Sequence, residues 1–280
     1  MDIQKLTADK ILQIYHPGEL FTGDPAKAKV EYRTLLKLWH PDVNHNPQAV
    51  EISKKIVDLY QIAVHQFEVG KWEIPGTIEI GKFRIKYKKH RKFELGDSYI
   101  GDTIVVYVID EPYKDLFHNF ELAISNLKYA NDKMKEEFSK YLPIDIKSFN
   151  YLTRFCIVIR KTPDLLCLRD VLNYFKGKIE PRVVAWIMST LHNLTCYLDY
   201  AGLSHNDISP DTYFVSMKYH SGALLGGWWY STLVGEPMKA VPNRTYQYMS
   251  MDVKKSKTAS TKTDLELIRS VGRELLGDIS

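Results

Sequence analysis

The sequence predicts a multidomain chain: an all-α helical hairpin over residues 1–70, a linker at 71–76, and a two-lobed α+β domain over 77–280. Three observations carry this. Apolar residues recur at helical spacing as far as Phe67 and then lose that period. Gly70, Pro75 and Gly76 break the chain directly afterwards. Beyond them the patterns are strand-rich first and helix-rich later, the layout of an α+β domain. With 280 residues, 45% of them hydrophobic, the chain can fill two cores.

The first domain begins with a short apolar pattern, Ile11, Leu12, Ile14 and Tyr15, which predicts a small leading helix. A link from Pro17 to Asp24 follows. Asp24 is a good N-cap, and Pro25 suits the first helical position, where no amide hydrogen is needed. Ala28, Tyr32, Leu35, Leu36 and Trp39 then form one apolar face, while Lys27, Lys29, Arg33 and Lys37 make the rest basic against Glu31 alone. Pro41 cannot continue a helix and disfavours helical geometry at His40, so the chain turns there. Asn46-Pro47 repeats the cap-and-proline signal, and Val50, Ile56, Leu59, Tyr60, Ala63 and Phe67 supply the next stripe. Two antiparallel helices result, with His40 and Asp42 displayed at the tip of their loop.

The stretch from Lys29 to Asn44, with His40-Pro41-Asp42 near its end, resembles the second helix and tripeptide loop of a J-domain, the module of DnaJ-type co-chaperones. The link from Pro17 to Asp24 is longer than in that family. The resemblance implies a DnaK-type chaperone as partner. It would be contacted by His40, Pro41 and Asp42, with Lys27, Arg33 and Lys37 as the electrostatic part of the contact.

In the second domain, Phe83, Ile85 and Tyr87 alternate with Arg84, Lys86 and Lys88, a strand with one dry face. The run from Lys82 to Lys92 is basic and interleaved with Phe83, Tyr87 and Phe93, as a nucleic-acid groove would be. The alternation puts those aromatics inside, so the run reads as a solvated strand face and argues against nucleic acid. Further elements are a strand at Ile104–Ile109, a helix at Leu116–Lys128 and a strand at Arg154–Arg160. A helix at Leu168–Leu172 precedes a long one at Pro181–Tyr200, whose apolar face is Val184, Ile187, Leu191, Leu194 and Leu198. A hairpin strand at Ala223–Leu225 and a helix at Thr263–Gly272 follow. Lys254, Lys255, Lys257 and Lys262 fall in a Ser/Thr-rich segment expected to be a mobile surface loop.

Leu203 to Val215, Leu-Ser-His-Asn-Asp-Ile-Ser-Pro-Asp-Thr-Tyr-Phe-Val, is similar to the catalytic loop of protein kinases. His205 and Asp207 match that pattern, while Asn206 replaces its arginine and Thr212 its metal-binding asparagine. The resemblance covers about residues 77–280 and implies a kinase-like fold. In that fold Asp264 braces the loop from beneath, and the second lobe is short because the sequence ends soon after the Asp264 helix.

The same resemblance implies that the chemistry has been dismantled. Phosphoryl transfer depends on placed charge: a lysine on the phosphates, and carboxylate and amide ligands on magnesium. The lysine slot holds Tyr107, and the aspartate slot of Asp-Phe-Gly holds Gly226 in Gly226-Gly227-Trp228. The lysine's partner glutamate is expected to survive as Glu121, and Gly96 to Gly101 keeps two of the three glycines of the phosphate-covering loop. Without metal ligands, Asp207 reads as a residue that caps or braces its own turn, and His205 as a core histidine. No catalytic residue, metal or cofactor is expected, and the domain reads as a pseudokinase that binds a client or target protein. Two other readings stay open at this point: a divergent kinase using Asp207, and a scaffold with a vestigial His-Pro-Asp.

Composition bounds the remainder. A formal charge of +4 is too mild to imply nucleic acid. Cys156, Cys167 and Cys196 have no metal or redox spacing and read as reduced core residues of a cytoplasmic protein. Met1 to Lys5 opens no signal-peptide apolar run, and no stretch of about eighteen apolar residues is present to span a membrane.

Overall fold

The computed structural model describes residues 6–278 apart from 13, 15, 71, 73–75 and 82. Tyr15, Pro75, Lys82 and the first five residues therefore lie outside the described residues. The chain divides into two compact units, Met1–Tyr87 and Lys88–Ser280.

The first unit contains α1 (Ala8–Leu12), α2 (Pro25–Trp39), α3 (Ala49–Glu68) and a hairpin of β1 (Thr77–Ile80) and β2 (Phe83–Lys86). Asp24 caps α2 by accepting from the N–H groups of Ala26 and Lys27 at 2.9 and 3.0 Å, with Pro25 in the first turn. Ile11, Ala28, Leu35, Ile52, Ile56, Leu59 and Ala63 are buried together, and Tyr32 stacks on Tyr60 at 4.0 Å. The long link is part of this core. Leu20 and Phe21 are buried, and Phe21 sets its edge against Tyr60. Two details differ from expectation. Val50 faces solvent and Ile52 takes its place, because α3 starts only at Ala49. Asn46 does cap, but it caps the turn before the helix, accepting from the Gln48 N–H at 2.9 Å. Trp72 lies on the helical core, stacked on Phe67 at 4.7 Å and directly over Gly23.

The second unit is built on a five-stranded antiparallel sheet of order β3-β4-β5-β7-β6. Its strands are β3 (Lys89–Phe93), β4 (Gly96–Ile100), β5 (Ile104–Ile109), β6 (Ile144–Tyr151) and β7 (Arg154–Arg160). Between β5 and β6 the chain forms α4 (Lys114–Ser125) and α5 (Asp132–Ser139). After β7 come β8 (Leu166–Cys167), α6 (Leu168–Tyr174), the long α7 (Pro181–Ala201) and β9 (Leu203–Ser204). The hairpin of β10 (Tyr213–Ser216) and β11 (Ser221–Leu224) pairs with β8, and β12 (Thr232–Leu233) pairs with β9. Three helices close the unit: α8 (Asn243–Tyr248), α9 (Met251–Ser256) and α10 (Thr261–Leu275). One apolar core joins the sheet to these helices, with Val105, Phe120, Ile157, Leu191 and Ile268 among its buried members. The chain is thus a multidomain α+β protein, helical first and sheet-containing second.

Several sequence expectations are corrected here. The basic run is two strands in different units, and Phe83 faces solvent while Ile85 is buried. Lys254 and Lys255 lie on helix α9, capped by Ser250, rather than in a loop, and Lys262 lies in the first turn of α10. All three cysteines are free thiols, but Cys196 is exposed on α7, on the face opposite Leu191, Leu194 and Leu198. Among the described residues no helix is long and apolar enough to cross a membrane.

Candidate functional site

The tripeptide loop is shaped by three local rules. Pro41 ends α2, so His40 becomes its C-cap with extended geometry, φ −64° and ψ 132°. The His40 carbonyl then accepts from the N–H groups of Val43 and Asn44, closing a tight turn. The Asn44 side chain reaches back to the Leu38 carbonyl at 2.8 Å, and Ser53 on α3 donates to the Trp39 carbonyl at 2.6 Å, which pins the loop to both helices. Within that frame His40 Nδ1 accepts from the Asp42 N–H at 3.3 Å and lies 3.5 Å from the Asp42 carboxylate. Both side chains stay open to solvent, 48% and 83% exposed. Lys27, Lys29, Arg33 and Lys37 are exposed on α2, and among the described residues no carboxylate pairs with them.

In the second unit, Tyr107, Asp207 and Thr212 line one cleft of about 370 Å³, and Gly226 lies against Tyr107 and Thr212 beside it. The loop that carries Asp207 is braced from beneath by Asp264 on α10. Its buried carboxylate accepts the N–H groups of His205 and Asn206, each at 2.8 Å. Burial pushes the Asp264 carboxyl up to about 6, and those two N–H groups oppose the shift. Asn206 sits in left-handed geometry, φ 64°, which asparagine tolerates better than most residues. Its side chain is fully engaged with Ser204 and with the Tyr230 carbonyl at 3.0 Å. His205 Nδ1 accepts from the Asp207 N–H at 3.2 Å, and burial drives the imidazole down to about 3, so it is neutral. Thr212 ties the same loop by donating to the Asp207 carbonyl at 2.7 Å.

Asp207 itself does not cap the turn. The residue is only 9% exposed and lines the cleft, and among the described residues its carboxyl receives no hydrogen bond. Burial, and then the negative charge of Glu94, hold it well above the usual carboxylate range. The bracing expected of Asp207 is done by Asp264 and Thr212 instead.

Two more expectations fail. Glu121 is on the solvent side of α4, hydrogen-bonded to His118 and to Ser148 at 3.1 Å, and does not face Tyr107. The inward polar residue of α4 is Asn119, which donates to the carbonyls of Trp229 and Ser231 at 2.9 and 2.6 Å. Its place one helical turn from both Leu116 and Ala123 was the signal available in sequence. The glycine-bearing segment from Gly96 is strand β4, joined to β3 through Glu94 and Leu95 alone. Gly96 serves packing there, since a Cβ would run into the Val108 carbonyl.

Tyr107 and Gly226 fill one another's space. A Cβ on Gly226 would come within 2.6 Å of the Tyr107 hydroxyl. Tyr107 also packs edge-on against Trp229 at 4.8 Å. Across the cleft mouth Arg91 on β3 pairs with Asp170 on α6 at 2.6 Å and with Asp211 at 3.7 Å. Asp211 is held in turn by Arg169 at 2.9 Å, Arg169 by Glu274, and Glu274 by Arg244 at 2.8 Å. Lys89 also reaches Asp170. At the β3–β4 turn Glu94 accepts from the Tyr230 hydroxyl at 3.3 Å and the Asn243 N–H at 3.2 Å. Ion pairs and hydrogen bonds thus fasten the sheet to the helical part on both sides of the cleft. Compared with known proteins, the chain matches no family model and no curated protein.

Proposed function

We propose that this chain is a co-chaperone. Its helical unit acts as a J-domain that recruits and stimulates a DnaK-type chaperone, and its α+β unit acts as a non-catalytic kinase-like module that binds a client or target protein. The observation that carries the reading is the tripeptide loop. His40 and Asp42 are pinned in one geometry yet open to solvent, on the end of a helix whose exposed cations form no ion pair among the described residues. Such a loop is built to be touched, and the free positive face supplies long-range attraction to an acidic partner.

The kinase-like half of the proposal is supported by the sheet order, by the helix inserted after β5, and by the long-range brace from Asp264 to the His205–Asn206 backbone. Its lack of catalysis is supported by Tyr107 and Gly226 occupying each other's space where a lysine and a magnesium carboxylate would be needed.

The test is ATP hydrolysis by a purified DnaK-type chaperone with and without the full chain. The parent should accelerate it, and His40→Gln should not. The melting temperature should hardly change, because an exposed substitution is typically within about 0.5 kcal/mol. A parent without effect, or a His40→Gln chain as effective as the parent, would sink the reading.

A further inference from the structure

The cleft of the α+β unit contains one carboxyl that, among the described residues, has no hydrogen-bond donor. Asp207, Glu94 and Asp211 are its acids, and Arg91, Lys92 and Arg244 its cations. Arg91 is committed to Asp170 and Asp211, Arg244 to Glu274, and Lys92 stands in solvent at the rim. Asp211 is held by Arg169, and Glu94 has the Tyr230 hydroxyl and the Asn243 N–H. Only Asp207 lines the cleft as a buried residue whose carboxyl, among the described residues, has no hydrogen-bond donor; one of its oxygens lies beside Gly227. The wall beside it is aromatic. Phe93, Tyr107 and Trp229 lie within 4.8–5.9 Å of one another, centroid to centroid, with Tyr230 next to Trp229. Among the described residues no three His, Cys, Asp or Glu side chains converge as metal ligands. Rings and a carboxylate together favour a soft, weakly hydrated cation, which gains from both.

We infer that this cleft binds a small organic cation, an alkylammonium or guanidinium group, seated on Asp207 against Phe93, Tyr107 and Trp229. Its volume, about 370 Å³, is at the small end for ligand sites and suits such a group with a short chain. The groups around Asp207 add a second signature. Burial, Glu94, Asp211 and Asp264 all favour the protonated carboxyl, Arg244 alone opposes them, and His205 beneath is neutral. An arriving cation reverses that balance, so Asp207 gives up its proton as the cation binds. This inference does not rest on the chaperone reading, and neither result decides the other.

The experiment is calorimetric titration of the full chain at neutral pH with butylammonium and butylguanidinium, and with butylurea as the uncharged isostere. An acetylated tripeptide with a central arginine, against its citrulline counterpart, asks whether the cation is a protein side chain. Saturable binding of either charged arm with none by its neutral partner is the expected result, and the tighter arm names the source. Repeating the titration in buffers of different ionisation enthalpy should show net proton release as the cation binds. Asp207→Asn should lose at least about tenfold in affinity together with the proton release, at an unchanged or higher melting temperature. Should that variant fail to fold, Glu94→Gln, at a solvent-facing turn, should still weaken binding. No saturable heat, equal binding of butylurea, or binding without proton release would overturn the inference.

Discussion

Gly226→Ala is a small change with a large expected effect, because the added methyl has nowhere to go. Its carbon would sit 2.6 Å from the Tyr107 hydroxyl and 3.3 Å from two atoms of Thr212, in a fully buried site. Inserting a methyl into a packed core costs about 1–3 kcal/mol. Removing a glycine from the unfolded chain returns about 0.4–1 kcal/mol, since the φ at 226 is not left-handed. The net loss should be about 1–2 kcal/mol, or roughly 2–8 °C in the melting temperature of a unit this size. Tyr107→Phe removes the clashing oxygen, and in that background the same change should cost under about 1 kcal/mol. Urea unfolding followed by the fluorescence of Trp228 and Trp229, both buried beside the cleft, measures all four chains of the cycle. Equal losses with and without the hydroxyl would refute the steric coupling. A Gly226→Ala chain as stable as the parent would refute it more directly.

Three further outcomes are expected. Arg33→Glu should weaken binding of a DnaK-type chaperone more at low salt than at high salt, and a titration of affinity against ionic strength that shows no difference would place the contact elsewhere. Incubation with radiolabelled ATP, magnesium or manganese and generic acceptors should give no label above that of Asp207→Ala, whereas label lost on that substitution would mean a divergent kinase. His205→Asn should make the second unit less acid-sensitive. The folded imidazole is held at about 3 against 6.5 when unfolded, so its contribution is intact above pH 6.5 and is lost as the pH falls towards 3. Between pH 7 and pH 5 the variant should lose about 2 kcal/mol less than the parent by chemical denaturation, and parallel losses would contradict the neutral buried imidazole.

Local rules made much of this fold legible. Asp24 and Pro25 announced the start of α2, and Pro41 its end, because capping and proline sterics act within a turn. The long helix α7 follows directly from apolar period, whereas the strands at Ile104–Ile109 and Arg154–Arg160 were placed through resemblance. The pairing of Asp264 with the backbone at His205 and Asn206, 59 and 58 residues away, could be anticipated only through resemblance. What stayed hidden was side-chain partnership across distance. Arg91 and Asp170 are 79 residues apart, and nothing in the alternation of a basic strand reveals which cation will be buried and paired. Glu121 and Asn119 differ by two positions on one helix, and an error of that size turns a side chain to the other face. That the Asp207 carboxyl has no donor among the described residues was invisible for a different reason, since a missing donor leaves no mark on a sequence.

The indole of Trp72 bears on how the chain can be divided. It covers Gly23 and stacks on Phe67, so the helical fold borrows a ring from beyond its last helix. A fragment cut at Gly70, where helical periodicity invites the cut, would strip that ring away and bare the ends of both α2 and α3. Such a fragment would test a weakened module rather than the native one. An excised helical unit therefore has to run past Trp72.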